Sequence, residues 1–114
     1  MKISNILAEL GNDTRLAVFQ VLVRYGTTGM TVGQLKATLD VPASTLAFHL
    51  KGLASVGLVS QDRDGRSVIC RARLDVLNRA ISAIQDQCCV SKQEECWPQT
   101  LSAANALPVL EIAV

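Results

Sequence analysis

The chain has 114 residues, of which 49% are apolar and 18% charged, and its formal net charge is +1. This length and composition fit one folded globular domain and exclude an intrinsically disordered chain. No apolar run is long enough to cross a membrane and the first residues lack the pattern of a secretion signal, so we expect a cytoplasmic protein.

The charges are distributed unevenly. Residues 1–42 carry four basic and three acidic side chains, residues 43–73 five and two, and residues 74–114 two and five, which gives +1, +3 and −3. A local basic excess is the footprint that phosphate binding requires, whereas a near-neutral total argues against indiscriminate binding of polyanions. Residues 43–73 are therefore the candidate site for nucleic-acid binding.

Three helices are predicted in the first part of the chain. Apolar residues at helical spacing indicate a first helix over residues 3–10, which Gly11 ends, and a second over residues 14–24 with Asp13 as its N-cap. A third helix, capped by Thr31, runs through residue 39. The side chains predicted to face inward are Leu16, Phe19, Leu22, Val23, Val32, Leu35 and Leu39.

Residues 43–56 are predicted to form a fourth helix after a turn at residues 40–42, which is helix-turn-helix spacing. At 100° per residue, Leu46, Leu50, Leu53 and Ala54 lie on one side, which we expect to be buried. The opposite side and its flanks carry hydroxyls, one cation, one imidazole and one aromatic ring, all of which can approach phosphates and base edges. These residues are Ser44, Thr45, Phe48, His49, Lys51, Gly52 and Ser55.

A basic β-hairpin is predicted directly after this helix. Gly57 ends the helix, and residues 58–63 and 67–73 have the pattern of two strands joined at Asp64-Gly65. Arg63 and Arg66 lie at the tip, from which they could reach phosphates or an adjacent minor groove. A helix with a small polar face followed by such a hairpin is how winged helix-turn-helix proteins hold duplex DNA.

A fifth helix is predicted from Asp75, with a narrow apolar seam that suits pairing with another helix across a dimer. The seam consists of Leu77, Ala80, Ile81, Ile84 and Cys88. We place the end of a DNA-binding and dimerisation domain at residue 90, so that residues 1–90 form this domain and residues 91–114 a C-terminal segment. With one histidine, no acid pair of obvious role and no glycine-rich phosphate loop, the chain shows no catalytic constellation.

The motifs STLAFHLKGL, ASVGLV and DGRSVICRA resemble those of the ArsR/SmtB family of winged-helix metalloregulators, dimeric repressors that a bound metal or metalloid releases from DNA. The resemblance covers about Asp13 to Ile84. It implies a mainly α fold with a small β-hairpin, a winged helix-turn-helix that dimerises through its first and last helices. With the cation Lys51 from the same helix face, the implied contacts to operator DNA are Ser44, Thr45, Ala47, Phe48, His49, Arg63, Arg66 and Ser67.

The cysteines depart from the family's best-known arsenic sensors, which carry a cysteine pair in the third helix. Here that helix reads TVGQLKATLD and has none, which excludes a site of that kind. Cys88, Cys89 and Cys96 instead lie within nine residues of each other. As(III) and Sb(III) are soft and favour three thiolates, so we predict that one of them is the inducer and binds these cysteines.

The spacing of these cysteines constrains the site. In a continuous helix, Cys89 and Cys96 would stand about 10.5 Å apart, too far to share one ion, so the segment between them must fold back or Cys96 must come from elsewhere in the dimer.

Three other interpretations stay open, the simplest of which is a DNA-binding or protein-interaction module that responds to no ligand. Cys96 could form a disulfide with Cys88 or Cys89 in a thiol redox sensor. A zinc or cadmium site would need further ligands from Asp, Glu or a second chain, because His49 lies on the predicted DNA-facing helix. The fourth cysteine, Cys70, stands in the hairpin where the family often has tyrosine, and we expect it to pack in the core.

Overall fold

Five helices and a three-stranded antiparallel sheet make up residues 2–87, the part of the chain that the computed structural model describes. None of these helices is long and apolar enough to span a membrane. In chain order the elements are α1 (Ile3–Leu10), α2 (Asp13–Tyr25), a 3₁₀ turn (Gly26–Thr28), β1 (Met30–Thr31), α3 (Val32–Leu39), α4 (Ala43–Ser55), β2 (Val59–Asp64), β3 (Ser67–Ala72) and α5 (Leu74–Gln85).

The structure confirms all five predicted helices and the hairpin. Their bounds agree with the predicted ones to within one residue, apart from the end of the last helix. The predicted seam extends to Cys88, but α5 ends at Gln85, and Cys88 lies outside the described residues.

Side-chain caps fix the starts of α2 and α3. The cap of α2 is Asn12 and not the predicted Asp13: the Asn12 side chain accepts hydrogen bonds from the backbone N–H groups of Thr14 at 3.0 Å and Arg15 at 3.1 Å. The error arises because Asn and Asp cap helices about equally well and stand side by side here. Thr31 caps α3 as predicted, in a reciprocal capping box with Gln34.

The core lies where α2, α3 and α4 meet the sheet. Leu16 of α2 was expected in this core but is only half-buried, whereas Val18 and Val21 are buried and were not predicted. The fully buried side chains of the core are nearly all aliphatic, because the chain has few aromatic residues. The largest of them are Leu22, Leu35, Leu46, Leu50, Leu53, Leu58, Val18 and Cys70.

β3 is the central strand, with β1 and β2 on either side. The two-residue β1 was not predicted, because so short a strand shows no alternating pattern; it places Met30 opposite Cys70. Gly29, just before β1, has a φ of +72°, and a Cβ at this position would stand 2.7 Å from the backbone oxygen of Cys70. Both its conformation and its close approach to β3 therefore require glycine.

The hairpin turn lies one residue later than predicted. β2 and β3 pair from Val59 opposite Ala72 to Asp64 opposite Ser67, so the loop consists of Gly65 and Arg66 rather than being centred on Asp64-Gly65. Only Gly65 of these two has a positive φ, at +65°, which fits a two-residue turn with glycine in first position. The hairpin β2–β3 consequently carries Arg66 in the loop itself.

Candidate nucleic-acid interface

A three-residue turn joins α3 to α4. Asp40 adopts the left-handed conformation, with a φ of 53°, and its N–H donates to the backbone oxygen of Lys36 at 2.9 Å, which ends α3. Aspartate tolerates this conformation better than most residues do. Val41 and Pro42 then lead into α4, so α3 and α4 have the connection of a helix-turn-helix.

The outer face of α4 is exposed, as predicted. Its exposed side chains include the hydroxyls of Ser44 and Thr45, the methyl group of Ala47 and the ammonium group of Lys51. Phe48 is 66% exposed, and its ring stands edge-on to that of His49 with the centroids 5.4 Å apart. The face thus combines small hydroxyl groups with one cation and one apolar ring, which suits phosphates, base edges and thymine methyl groups.

His49 does not belong to this face, and its predicted place there is wrong. The residue is 9% exposed, and Nδ1 is buried without a hydrogen-bond partner in residues 2–87. Leu46, His49, Leu50 and Leu53 follow the spacing i, i+3, i+4 and i+7, which places the imidazole within the buried stripe. The same periodicity that identified the leucines could therefore have placed His49 correctly.

The tip of the hairpin presents two arginines. Arg63, Arg66 and Ser67 are exposed, and neither arginine forms an ion pair with a carboxylate in residues 2–87. The same holds for Lys51 on α4. These three cations are free to meet phosphates.

The other two basic residues of the 43–73 stretch are engaged within the protein. Arg71 donates from Nε to the backbone oxygen of Thr27 at 2.7 Å and from Nη1 to Asp62 at 3.0 Å. Arg73 donates to both carboxylate oxygens of Asp75 at 3.1 Å, and this contact holds the pKa of Asp75 below its usual value. A count of charges in the sequence cannot separate these structural arginines from the free ones.

An apolar surface extends over α1 and α5, which contact each other. The predicted seam divides between two environments: Ala80 is buried and Leu77 packs partly against the core, whereas Ile81 and Ile84 point outward. The large apolar side chains of this surface that are at least 40% exposed are Leu7, Leu74, Ile81 and Ile84.

The cysteines separate into one core residue and three outside the described residues. Cys70 is fully buried, as predicted, and accepts a hydrogen bond from Nε2 of Gln61 at 3.8 Å; burial raises the pKa of its thiol. Residues 2–87 contain no group of three or more His, Cys, Asp and Glu side chains that could hold a metal ion. The predicted ligands Cys88, Cys89 and Cys96 lie beyond this range.

Comparisons with known proteins agree with this architecture. A family model described as a helix-turn-helix domain matches residues 10–62. No curated protein matches the chain. Among solved structures, an ArsR-like transcriptional regulator from Rhodococcus sp. RHA1 is similar with a TM-score of 0.66 and 26% identity, over 74% of this chain and 76% of that one.

Two further structures carry descriptions that refer to metalloids. A possible transcriptional regulator for arsenical resistance has a TM-score of 0.60 and 28% identity, over 72% of this chain and 82% of that one. The AntR antimony-specific transcriptional repressor has a TM-score of 0.56 and 26% identity, over 69% of this chain and 70% of that one. With its helix-turn-helix, its hairpin and these similarities, the chain has a winged helix-turn-helix fold and resembles ArsR-type transcriptional regulators, which points to a DNA-binding transcription factor.

Proposed function

We propose that the protein is a homodimeric repressor that binds operator DNA through α4 and the hairpin tip, and that As(III) or Sb(III) releases it from DNA. The observation that carries the DNA-binding part is the exposed polar face of α4 together with three cations that no carboxylate in residues 2–87 neutralises. The proposed DNA contacts are Ser44, Thr45, Ala47, Phe48, Lys51, Arg63, Arg66 and Ser67.

These residues divide between two tasks. Lys51, Arg63 and Arg66 would bind phosphates, which fixes the position of the protein on the duplex and supplies affinity that depends on salt. The small side chains at the start of α4 allow the helix to enter the major groove, where Phe48 can contact a thymine methyl group. Sequence preference therefore depends on α4, and electrostatic attraction on the hairpin tip and Lys51.

The dimer would form through the apolar surface of α1 and α5. Leu7, Ile81 and Ile84 are exposed at 40% or more, and burying them against a second copy would stabilise the dimer by the hydrophobic effect. Two α4 helices related by a two-fold axis would then match half-sites about 34 to 36 Å apart. We propose that residues 1–90 form this DNA-binding and dimerisation domain.

The inducer site we propose consists of Cys88, Cys89 and Cys96. Three thiolates are the donor set that As(III) and Sb(III) prefer, and α5 of the proposed dimer surface ends only three residues before Cys88. A change at these cysteines would therefore act next to the dimer surface. The similarity to an antimony-specific repressor and to a possible regulator for arsenical resistance supports a metalloid inducer.

One titration tests both parts of the proposal. The wild-type protein is first used to select a duplex from a random pool, and fluorescence anisotropy then follows binding of that duplex while arsenite, antimonite, zinc or peroxide is added. Arsenite and antimonite, under reductant, should release the protein. Cys89→Ser should bind the duplex normally and resist release, whereas Cys70→Ala, checked for folding by circular dichroism, should still be released.

The outcomes are distinct. If only peroxide releases the protein, the cysteines form a thiol redox switch and not a metalloid site. If only zinc releases it, the site is a zinc site with further ligands from Asp, Glu or a second chain. A Cys89→Ser protein that arsenite releases normally would exclude the three-cysteine site. If the wild-type protein selects no duplex, the DNA-binding part of the proposal is wrong.

A further inference from the structure

A partly buried ion pair lies where α1, α2 and α4 meet. Nε of Arg15 donates to the backbone oxygen of Glu9 at 2.7 Å and lies 3.1 Å from the Glu9 carboxylate. The two side chains are only 20% and 25% exposed, and Oε2 of Glu9 is buried and accepts no hydrogen bond within residues 2–87, so its contact with Arg15 is purely ionic. The pair thus joins the end of α1 to the first turn of α2 and directs a carboxylate into the protein.

This carboxylate lies against Gly52 of α4. A Cβ at position 52 would stand 2.6 Å from Oε2 of Glu9, which is closer than real Cβ contacts. Because Oε2 ends a flexible side chain, this clash restricts position 52 only as far as Arg15 holds the Glu9 side chain in place. Gly52 is in a helix and has no positive φ, so its backbone conformation does not require glycine. Glycine in the middle of a helix also lowers helix stability relative to alanine. The close approach of Glu9 is therefore the reason that we assign for this glycine.

The contact connects two functional surfaces. Leu7, two residues before Glu9, is part of the exposed apolar surface of α1 and α5. Phe48 lies one helical turn before Gly52 on the same side of α4. The Glu9 carboxylate consequently stands between the helix proposed to meet the partner subunit and the helix proposed to meet DNA.

We propose that Glu9, held by Arg15, is a positioning residue for DNA recognition. Its carboxylate occupies the space that a side chain at position 52 would fill, and so fixes how closely α1 and α4 pack. In a dimer built on α1, this packing sets the separation of the two α4 helices and hence the half-site spacing that the protein prefers. The inference rests on the proposed function, because it requires a dimer that binds DNA through α4.

The test is the substitution Gly52→Ala, with Gly33→Ala as the matched control. Gly33 is also in a helix, but a Cβ there would come no closer than 3.9 Å to Thr31 Oγ1. The probes are the duplex selected by the wild-type protein and two versions with the half-sites one base pair nearer or farther apart. Gly52→Ala should bind the selected duplex about 10-fold more weakly and change the order of preference among the three. Gly33→Ala should keep the wild-type order.

A change in the order of preference among the three duplexes distinguishes a positioning role from a loss of stability. A variant that is merely less folded binds all three duplexes more weakly by the same factor. The double variant Glu9→Ala/Gly52→Ala should bind no more weakly than Glu9→Ala alone, because the atom that a new Cβ would meet is gone. Thermal unfolding by circular dichroism checks each variant. If Gly52→Ala does not fold, Glu9→Ala, which empties the space beside Gly52, should change the order instead.

Two results would overturn the inference. The first is a folded Gly52→Ala protein that matches Gly33→Ala on all three duplexes, while the wild-type protein still selects a duplex; the proposed function would then stand without this positioning role. The second is that Gly52→Ala weakens binding of the selected duplex by the same factor in the wild-type protein and in Glu9→Ala. If the wild-type protein selects no duplex, the proposed function and this inference are both wrong.

Discussion

Arg71 of β3 donates a hydrogen bond of 2.7 Å from Nε to the backbone oxygen of Thr27, and thereby joins the hairpin to the turn that follows α2. Its Nη1 donates to Asp62 of β2 at 3.0 Å. The base of the hairpin is thus anchored to the helical part of the protein, whereas Arg63 and Arg66 at its tip form no ion pair with a carboxylate in residues 2–87. Two arginines of one hairpin, Arg71 and Arg66, should therefore respond differently to the same substitution.

Arg71→Gln should lower the free energy of unfolding by about 1 kcal/mol, since it removes one charge-assisted hydrogen bond to a backbone oxygen and one exposed ion pair. Arg66→Gln, the matched control at the tip, should change it by less than about 0.5 kcal/mol. Urea unfolding followed by circular dichroism measures both. Equal stabilities of the two variants would show that the Thr27 contact does not anchor the hairpin.

DNA affinity should show the reverse pattern at the tip. Each phosphate contact contributes about 0.9 to the slope of log K against log salt concentration, so Arg66→Gln should reduce this slope by about 2 for a dimer. Arg63→Gln should act similarly. The control is Arg79→Gln on α5, where the arginine lies 3.5 Å from Asp75. A wild-type slope in Arg66→Gln would exclude a phosphate contact at the hairpin loop.

Substitutions at Gly29 and Gly26 separate the cost of a steric clash from the cost of backbone strain. Both have a positive φ, but a Cβ at Gly29 would meet Cys70, Arg71 and Ile69 within 2.9 Å, whereas nothing lies within 4 Å of one at Gly26. Gly26→Ala should cost about 1 kcal/mol of stability from strain alone. Gly29→Ala should cost at least about 2 kcal/mol more, because β1 and β3 must separate. Thermal unfolding compares them, and equal losses would contradict the close approach.

The contact between Arg73 and Asp75 predicts a pH dependence. Arg73 lowers the pKa of Asp75 in the folded protein, so its contribution to stability is present above the unfolded value, about 3.9, and is lost as the pH falls through the folded pKa. The wild-type protein should therefore exceed Asp75→Asn in Tm at pH 7, and this small difference should shrink as the pH falls below about 3.9. Arg73→Gln, which removes the cation that lowers this pKa, should likewise reduce the pH dependence.

Much of the fold follows from local patterns in the sequence. Helical spacing, the Thr31 cap and the glycine of the hairpin turn each depend on residues close together in the chain, and the structure confirms the elements that they predict. The errors at Asn12 and at Asp64-Gly65 amount to one position each, because neighbouring residues of similar preference compete for the same role.

The features that were missed depend on contacts between distant residues. The pairing of Met30 with Cys70 and the hydrogen bond from Arg71 to Thr27 each join segments about forty residues apart, and no local pattern reports them. His49 is different: its position in the buried stripe follows from helical spacing, but its polarity suggested the surface. The predicted cysteine site remains a prediction, since its three residues lie outside residues 2–87.

The engagement of Arg71 and Arg73 within the protein leaves Lys51, Arg63 and Arg66 as the cations of residues 43–73 that form no ion pair with a carboxylate in residues 2–87. In the proposed dimer six such cations would meet DNA, and the affinity that they supply would fall steeply as the salt concentration rises. All six can contact phosphates at the same time only while the two α4 helices match the spacing of the half-sites. If an inducer changes this spacing, as proposed, part of the electrostatic attraction is lost with it, so release should be easier at higher salt.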